Sequence, residues 1–169
     1  MKDLLLKLRA CEEAVEWAGD KTAEEVIATC YRGDWLLWLA YHLKVDDRPF
    51  TLAKGHCANT VRHLIKDERS IKAVDAAIAY GNGEISKEEL KDASDAAYDA
   101  YAASYDAAAS SAYASAASAY ASDADYAIAA ASSASGAYAY AAYASAKSNQ
   151  LETADICRKY LGHLILELC

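Results

Sequence analysis

The chain has 169 residues, a formal net charge of −8 at pH 7 and a pI of about 4.9. This length suffices for one domain with a buried core. A strongly acidic chain is repelled by phosphate backbones and by anionic membrane surfaces, so we expect it to bind neither nucleic acid directly nor a membrane. With 1 Pro, 13 Tyr and few β-branched residues, the composition predicts an all-α fold in a single domain, residues 1–169.

Three features predict a protein of the cytoplasm. The number of cysteines is odd and no two have the CxxC spacing, which favours free thiols in a reducing compartment. Charged residues interrupt the first nine positions, unlike a secretory signal peptide. Residues 126–146 carry no charge, but their Ala and Ser gain too little from hydrocarbon to form a membrane span. The cysteines are Cys11, Cys30, Cys57, Cys157 and Cys169.

Short amphipathic helices with capping residues are predicted at the start of the chain. Asp3 caps a first helix, whose apolar residues follow the 3.6-residue period as far as Trp17. Thr22-Ala-Glu-Glu25 is a capping box that starts a second helix, and Gly33 ends it. Asp34 then caps a third helix, whose run of five apolar residues predicts burial on most sides.

Two further helices complete the tryptophan-containing half of the chain, residues 1–83. Residues 46–49 form a predicted turn, and Thr51 caps a helix that extends to about Ile65. The next helix is predicted from Ser70 to Tyr80, where Gly81-Asn-Gly83 ends it.

Alanine dominates the second half, residues 84–169. A capping box, Ser86-Lys-Glu-Glu89, precedes residues 93–146, of which 27 are Ala, 11 Ser, nine Tyr and five Asp. Alanine is the best helix former, so we predict helix for most of this tract. A single helix of this length would reach about 80 Å, whereas a compact chain of this size has a radius of gyration of about 15–16 Å. We therefore predict a compact multi-helix bundle with a folded-back Ala-rich helical hairpin.

Serine, aspartate and glycine indicate where this second half turns. We predict turns at residues 122–125 and 132–136, because Ser and Asp cap new helices and Gly ends old ones. The last helix is predicted from Ser148 to Leu161. Gly162 closes it, and the apolar residues 164–168 dock on the body of the protein.

The alanine tract places tyrosine and aspartate on neighbouring stripes of an ideal helix. Six tyrosines lie within an arc of about 140°, with four aspartates beside them. Because a small chain must bury its few large side chains, we favour core positions for the tyrosines over an exposed recognition face. The aspartates, with no Lys or Arg in the tract, suit a protein partner with a basic surface. The candidate partner-binding residues are Asp92, Asp95, Asp99, Tyr101, Tyr105 and Asp106.

Other combinations of residues favour structural roles. His56, Cys57 and His63 are too few for a zinc site, which needs four convergent ligands, so we assign neither a metal nor a cofactor. Cys57 and His63 do not face each other on a helix, and the sequence has no phosphate-binding loop or hydrolase motif. We therefore expect a protein that is not an enzyme. The three tryptophans lie among aliphatic residues at helical spacing, which favours core positions over binding anchors.

Several segments carry a resemblance to a known family. Ala10-Cys-Glu-Glu-Ala-Val-Glu-Trp17, Thr22-Ala-Glu-Glu25 and Arg32-Gly-Asp-Trp-Leu-Leu-Trp-Leu39 resemble the opening of a family of immunity proteins found in bacteria and their phages. Residues 79–90, the alanine tract and residues 154–160 are similar to later segments of that family. This chain departs from the pattern in having no Arg, Lys or His inside its alanine tract and in its apolar C-terminal end.

The resemblance implies an immunity-type inhibitor that binds and neutralises a toxin or effector without catalysis. Two alternatives stay open within phage anti-defence: an acidic inhibitor of a CRISPR-type nuclease, or a protein that sequesters a nucleotide signal. The latter needs a pocket with stacking tyrosines and at least one Arg or Lys. An ice-binding or purely structural helix fits the alanine content but not the tryptophan-rich first half.

Overall fold

The computed structural model describes residues 1–65, 67–103 and 143–169 of the chain. Within these ranges all regular structure is helical and no strand occurs, which confirms the predicted all-α fold. The turns predicted at residues 122–125 and 132–136 lie outside the described residues. In chain order the helices are α1 Lys2–Lys7, α2 Glu12–Ala18, α3 Ala23–Thr29, α4 Gly33–His42, α5 Asp47–Asn59, a 3-10 helix Arg62–Leu64, α6 Glu68–Asn82, α7 Lys87–Ala103 and α8 Tyr143–Leu168.

Helix α8 brings the C-terminal end of the chain into the core of the N-terminal half. It packs against α3, α4 and α5, while α6 lies between α5 and α7. The largest cluster of buried apolar side chains joins residues of α1 to α5 with residues of α8. Leu36, Leu37, Leu161 and Ile165 are fully buried within it. Residues from both predicted halves therefore form one core.

The first predicted helix is wrong in its extent, because the chain breaks between α1 and α2. Arg9 has left-handed backbone geometry, with φ at 61°. Its amide donates to the carbonyl of Leu6 at 3.1 Å, and the amide of Ala10 donates to the carbonyl of Leu5 at 2.9 Å. This pair of hydrogen bonds is the Schellman motif that ends many helices. Glycine usually occupies the left-handed position, so an arginine there gives the sequence no visible stop signal.

Both predicted capping boxes are confirmed. Thr22 Oγ1 accepts from the amide of Glu25 at 3.2 Å, and the amide of Thr22 donates to the Glu25 carboxylate at 2.8 Å. Ser86 and Glu89 exchange the same two hydrogen bonds, also at 3.2 and 2.8 Å. Asp3, by contrast, is not a cap, because it lies inside the first turn of α1.

Gly33 begins α4 instead of ending α3, which corrects the prediction for this segment. Helix α3 already ends at Thr29. A Cβ atom at position 33 would lie 2.5 Å from Thr153 Oγ1 and 2.7 Å from the Thr153 carbonyl carbon, so the close approach of α4 to α8 requires glycine. Asp34 does not cap α4 either: it lies in the first turn, and its carboxylate binds Arg32.

Helix α5 begins earlier than predicted and includes the expected turn. Pro49 is its third residue, where a backbone amide would have no partner within the helix, so proline is tolerated. Thr51, the predicted cap, lies inside α5 and is fully buried. Helix α6 extends the predicted helix by two residues at each end and stops at Gly83, whose φ is 82°.

Helix α8 continues through Gly162, so the predicted closure at that residue is wrong. A Cβ atom at position 162 would lie 3.2 Å from Ile27 Cγ2, which shows how closely α8 approaches α3. The predicted apolar tail forms the last turns of α8. Of its residues, Ile165 is fully buried, whereas Leu166 and Leu168 are exposed.

Candidate functional site: a tryptophan-lined cavity

The residues predicted to bind a partner begin on α7, where Asp92 is exposed. The Asp95 carboxylate lies 2.6 Å from Lys91 Nζ, one helical turn away. The prediction of an aspartate stripe without nearby cations is therefore wrong for Asp95, because the compensating lysine precedes the alanine tract. The backbone of Asp99 and Tyr101 belongs to α7, but the structure does not describe their side chains. Tyr105 and Asp106 lie outside the described residues. The role of this stripe stays a prediction.

All three tryptophans of the chain lie around one cavity in the N-terminal half. Trp17 comes from the last turn of α2, and Trp35 and Trp38 lie one turn apart on α4. Each packs against the main core but is only half-buried. The core prediction for the tryptophans therefore holds in part, because each ring packs on the core and also lines the cavity.

We call this space the Trp cavity. Its volume is about 290 Å³, and its wall is mostly apolar. The side chains come from α1, α2, α3 and α4 and from the segments between them, so four short helices surround it. Besides the three tryptophans, the lining residues are Leu5, Ala10, Cys11, Glu13, Ala14, Val26, Cys30, Arg32, Asp34, Leu36 and Leu39.

Aromatic contacts fix one wall of the Trp cavity. The ring centroids of Trp17, Tyr31 and Trp35 form a triangle with sides of 5.8 to 6.0 Å. The Arg32 guanidinium lies 4.8 Å from the Trp35 centroid, and Lys21 Nζ lies 4.6 Å from the Trp17 centroid. Lys21 also donates to the Trp17 carbonyl. Packed rings with cations over their faces stabilise each other, so this wall is held in place before any ligand arrives.

The charged side chains of the wall, in the described part of the chain, are two anions and one cation. Arg32 donates from Nε and Nη2 to the Asp34 carboxylate at 2.8 and 2.5 Å, and its Nη1 lies 3.8 Å from Glu13 Oε1. The hydrogen bond to Asp34 raises the pKa of Arg32 above its ordinary value. Arg32 therefore neutralises the buried Asp34, while the Glu13 side chain stays 65% exposed at the cavity edge.

Exposed acidic side chains are concentrated in the sequence around Glu13, which lines the Trp cavity. Residues 11–29 contain six acidic side chains and one lysine, and that lysine, Lys21, is held over Trp17. All six acidic residues are exposed. The acidic surface consists of Glu12, Glu13, Glu16, Asp20, Glu24 and Glu25. Much of the net charge of the protein is thus concentrated on α2, on the first turn of α3 and on the turn that joins them.

The buried cysteines have the properties of structural thiols. Burial raises the pKa of Cys30, on the cavity wall, to about 11, so its thiol is protonated and weakly nucleophilic at neutral pH. Cys57 and Cys157 join α5 to α8, with their sulfur atoms 3.8 Å apart. The hydrogen bond with Cys57 and burial raise the pKa of Cys157 as well.

His56 pairs with a tyrosine, not with the residues that sequence reasoning grouped it with. Its ring stacks on that of Tyr160 at a centroid distance of 4.7 Å, and its Nε2 lies 3.0 Å from Tyr160 Oη. Burial and the nearby charge of Lys159 lower the pKa of His56. Among the described residues, no three His, Cys, Asp or Glu side chains converge as metal ligands would.

Sequence reasoning found the tryptophans but missed the cavity and its ion pair. The segment Arg32-Gly-Asp34-Trp35 contains the ion pair and one ring of the cavity wall, yet the spacing alone does not tell a core tryptophan from one that lines a space. Within the described residues no helix combines the length and the apolar character that a membrane crossing needs.

Comparisons of the chain with protein-family models, with curated proteins and with solved structures gave no match.

Proposed function

We propose that this chain is a non-enzymatic, immunity-type inhibitor that neutralises a toxin or effector by covering a basic surface of it. The observation that carries the proposal is the Trp cavity together with the acidic surface, which includes Glu13 of the cavity wall. Protein interfaces typically combine a buried aromatic centre with a polar rim, and tryptophan is among the side chains that contribute most to binding energy.

The negative charge of the acidic surface favours a partner with a basic surface. A dense group of carboxylates attracts a basic protein over distances of about one Debye length, roughly 8 Å at physiological salt, and so accelerates the encounter. A nucleotide would be repelled by the same carboxylates. Its phosphates would also meet Arg32, which is already bound to Asp34. Of the two anti-defence alternatives, the acidic surface therefore favours an inhibitor of a nuclease over a protein that sequesters a nucleotide.

Protection of cells tests the proposal. The candidate effector is the product of the gene adjacent to the one that encodes this chain, expressed in a bacterial host with and without the chain. We expect co-expression to restore growth and the two purified proteins to form a complex. Absence of both protection and binding would contradict an immunity role, and inhibition of a nuclease by the purified chain instead would support the anti-defence alternative.

Charge variants identify the surface that binds. Replacing Glu12, Glu13 and Glu16 by Gln should slow association about ten-fold and flatten its salt dependence, because electrostatic steering acts on the association rate. The matched control removes three charges from α7 by replacing Asp92, Asp95 and Asp99 by Asn. If that control reduces the association rate more than the glutamate variant does, the partner binds at the predicted aspartate stripe.

A further inference from the structure

The size of the Trp cavity and its fixed aromatic wall limit what can enter it. It is larger than the cavities of about 150 Å³ that admit benzene, and it is at the lower limit of pockets that hold drug-sized ligands, about 300 Å³. Its aromatic wall is fixed by the contacts of Trp17 with Tyr31 and Trp35. A ring or a branched aliphatic group therefore fits without rearrangement of the wall.

The charges around the cavity limit what can accompany that side chain. Arg32 makes a bidentate hydrogen bond to Asp34, so its charge is matched inside the wall. The exposed carboxylate at the edge belongs to Glu13, with Glu12 and Glu16 exposed on the same helix. Groups next to the inserted side chain should therefore be cationic. A second copy of this chain is a poor occupant, because its net charge is also negative.

We infer that the Trp cavity receives one aromatic or branched aliphatic side chain of the protein partner, from a segment in which Lys or Arg flanks that side chain. The inference rests on the proposed function and specifies the chemistry of the partner. The inserted group displaces water from the apolar wall, while the flanking cations bind Glu13 and its neighbours. Anchors of this kind, surrounded by a charged rim, usually dominate the affinity of an interface.

The three tryptophans provide a direct readout, because all of them line the cavity. The probe is a pentapeptide, Lys-Lys-Phe-Lys-Lys with blocked ends, titrated into protein labelled with ¹⁵N. We expect saturable shifts of all three indole N–H signals. Two matched peptides replace Phe by Ala or the lysines by glutamates, and each should bind about ten-fold more weakly or worse.

A filled cavity is the decisive control. Ala14 lines the cavity, so Ala14→Leu should occupy part of the space and weaken binding of the phenylalanine peptide at least about ten-fold, with no loss of thermal stability. Equal binding of the alanine peptide, or unchanged binding by Ala14→Leu, would overturn the inference. Free toluene binding as tightly as the lysine-flanked peptide would also overturn it, since the site would then take a small molecule.

The same variant separates this inference from the proposed function. If Ala14→Leu still protects cells against the effector as well as the unmodified chain does, the partner does not use the Trp cavity, and the immunity role stands. If the unmodified chain gives no protection and binds no effector while the peptide titration succeeds, the immunity role fails and the cavity remains a receptor for a basic, apolar segment.

Discussion

Large side chains line an open space among α1 to α4, whereas glycines lie at the closest contacts between α5 and α6. Three tryptophans surround the cavity in the first region. In the second, a Cβ atom at Gly81 would lie 2.4 Å from the Cβ of Leu52, and one at Gly55 would lie 2.9 Å from Cγ1 of Ile78. Backbones that approach this closely leave no room for an extra atom, so the α5–α6–α7 layer is a scaffold and the first region can receive a ligand.

The same substitution in both regions tests this difference most strongly. Ala77 is fully buried in α6, so Ala77→Leu should destabilise the protein by about 2–3 kcal/mol through overpacking. Ala14→Leu adds the same atoms beside the Trp cavity and should leave stability unchanged or raise it by up to about 1 kcal/mol. Urea unfolding followed by circular dichroism measures both. Equal losses would mean that the wall near Ala14 cannot accept a larger side chain.

Glycine substitutions sharpen the comparison at the helix backbones. Gly81→Ala places a methyl group 2.7 Å from the Leu52 Cα atom, so the two backbones must separate, and we expect a net loss of about 1–2 kcal/mol. The control is Gly162→Ala within α8, where the nearest atom is a side-chain methyl of Ile27 at 3.2 Å. There the gain in helix propensity, up to about 1 kcal/mol, should make the change neutral or stabilising. A stabilised Gly81→Ala variant would contradict the scaffold interpretation.

Local chemistry explains which parts of the fold were predictable from the sequence. The capping boxes at Thr22 and Ser86 are made within four residues, so the pattern contains the whole interaction. Gly33 was misassigned because its role is set by Thr153, a residue that is distant in the sequence. A glycine in a pattern indicates a stop, yet close approach of another helix demands the same residue, as at Gly33. Gly162 does not stop α8, because the packing of this helix on the core outweighs the low helix propensity of one glycine.

The candidate site was predictable in its residues but not in its arrangement. Helical spacing placed Trp17, Trp35 and Trp38 beside aliphatic positions, and the structure does pack them on the core. The space that they enclose depends on the break between α1 and α2, which redirects the chain at Arg9. Because an arginine occupies a left-handed position there, the sequence pattern read as one continuous helix.

A third, smaller effect on stability is expected in the cavity region when the left-handed Arg9 is replaced by glycine. Left-handed backbone costs a residue with a side chain about 1–2 kcal/mol relative to glycine, and Arg9 is exposed, so its loss removes little else. Arg9→Gly should therefore stabilise the protein by about 0.5–1 kcal/mol, measured by thermal unfolding. Arg9→Ala is the control and should give no gain, because alanine keeps the unfavourable Cβ. A gain of equal size in both variants would attribute the effect to charge and not to the backbone.

The smallest expected effect lies at the contact between α5 and α8, the helix that also packs against α3 and α4. His56 stacks on Tyr160, and burial followed by the charge of Lys159 lowers its pKa. The folded state therefore favours neutral His56, so stability is fully retained above the ordinary histidine pKa of about 6.5 and declines as the pH falls through the lowered value. Two carboxylates could also contribute to acid sensitivity, but at a lower pH than His56 does. Hydrogen bonds from Arg69 and Ser86 hold the pKa values of Asp67 and Glu89 below the usual range of carboxyl groups.

His56→Gln should make the decline in melting temperature from pH 6.5 to pH 5 shallower, because the variant has no imidazole to protonate against the Tyr160 ring and Lys159. The exposed His163 on α8 supplies the matched control, His163→Gln, which should leave the slope unchanged. If His56→Gln keeps the full slope, protonation elsewhere governs acid sensitivity, and the α5–α8 contact does not depend on the charge of His56. A slope lost in both variants would point to general charge repulsion. The stacked pair thus allows the contact between α5 and α8 to be tested by pH.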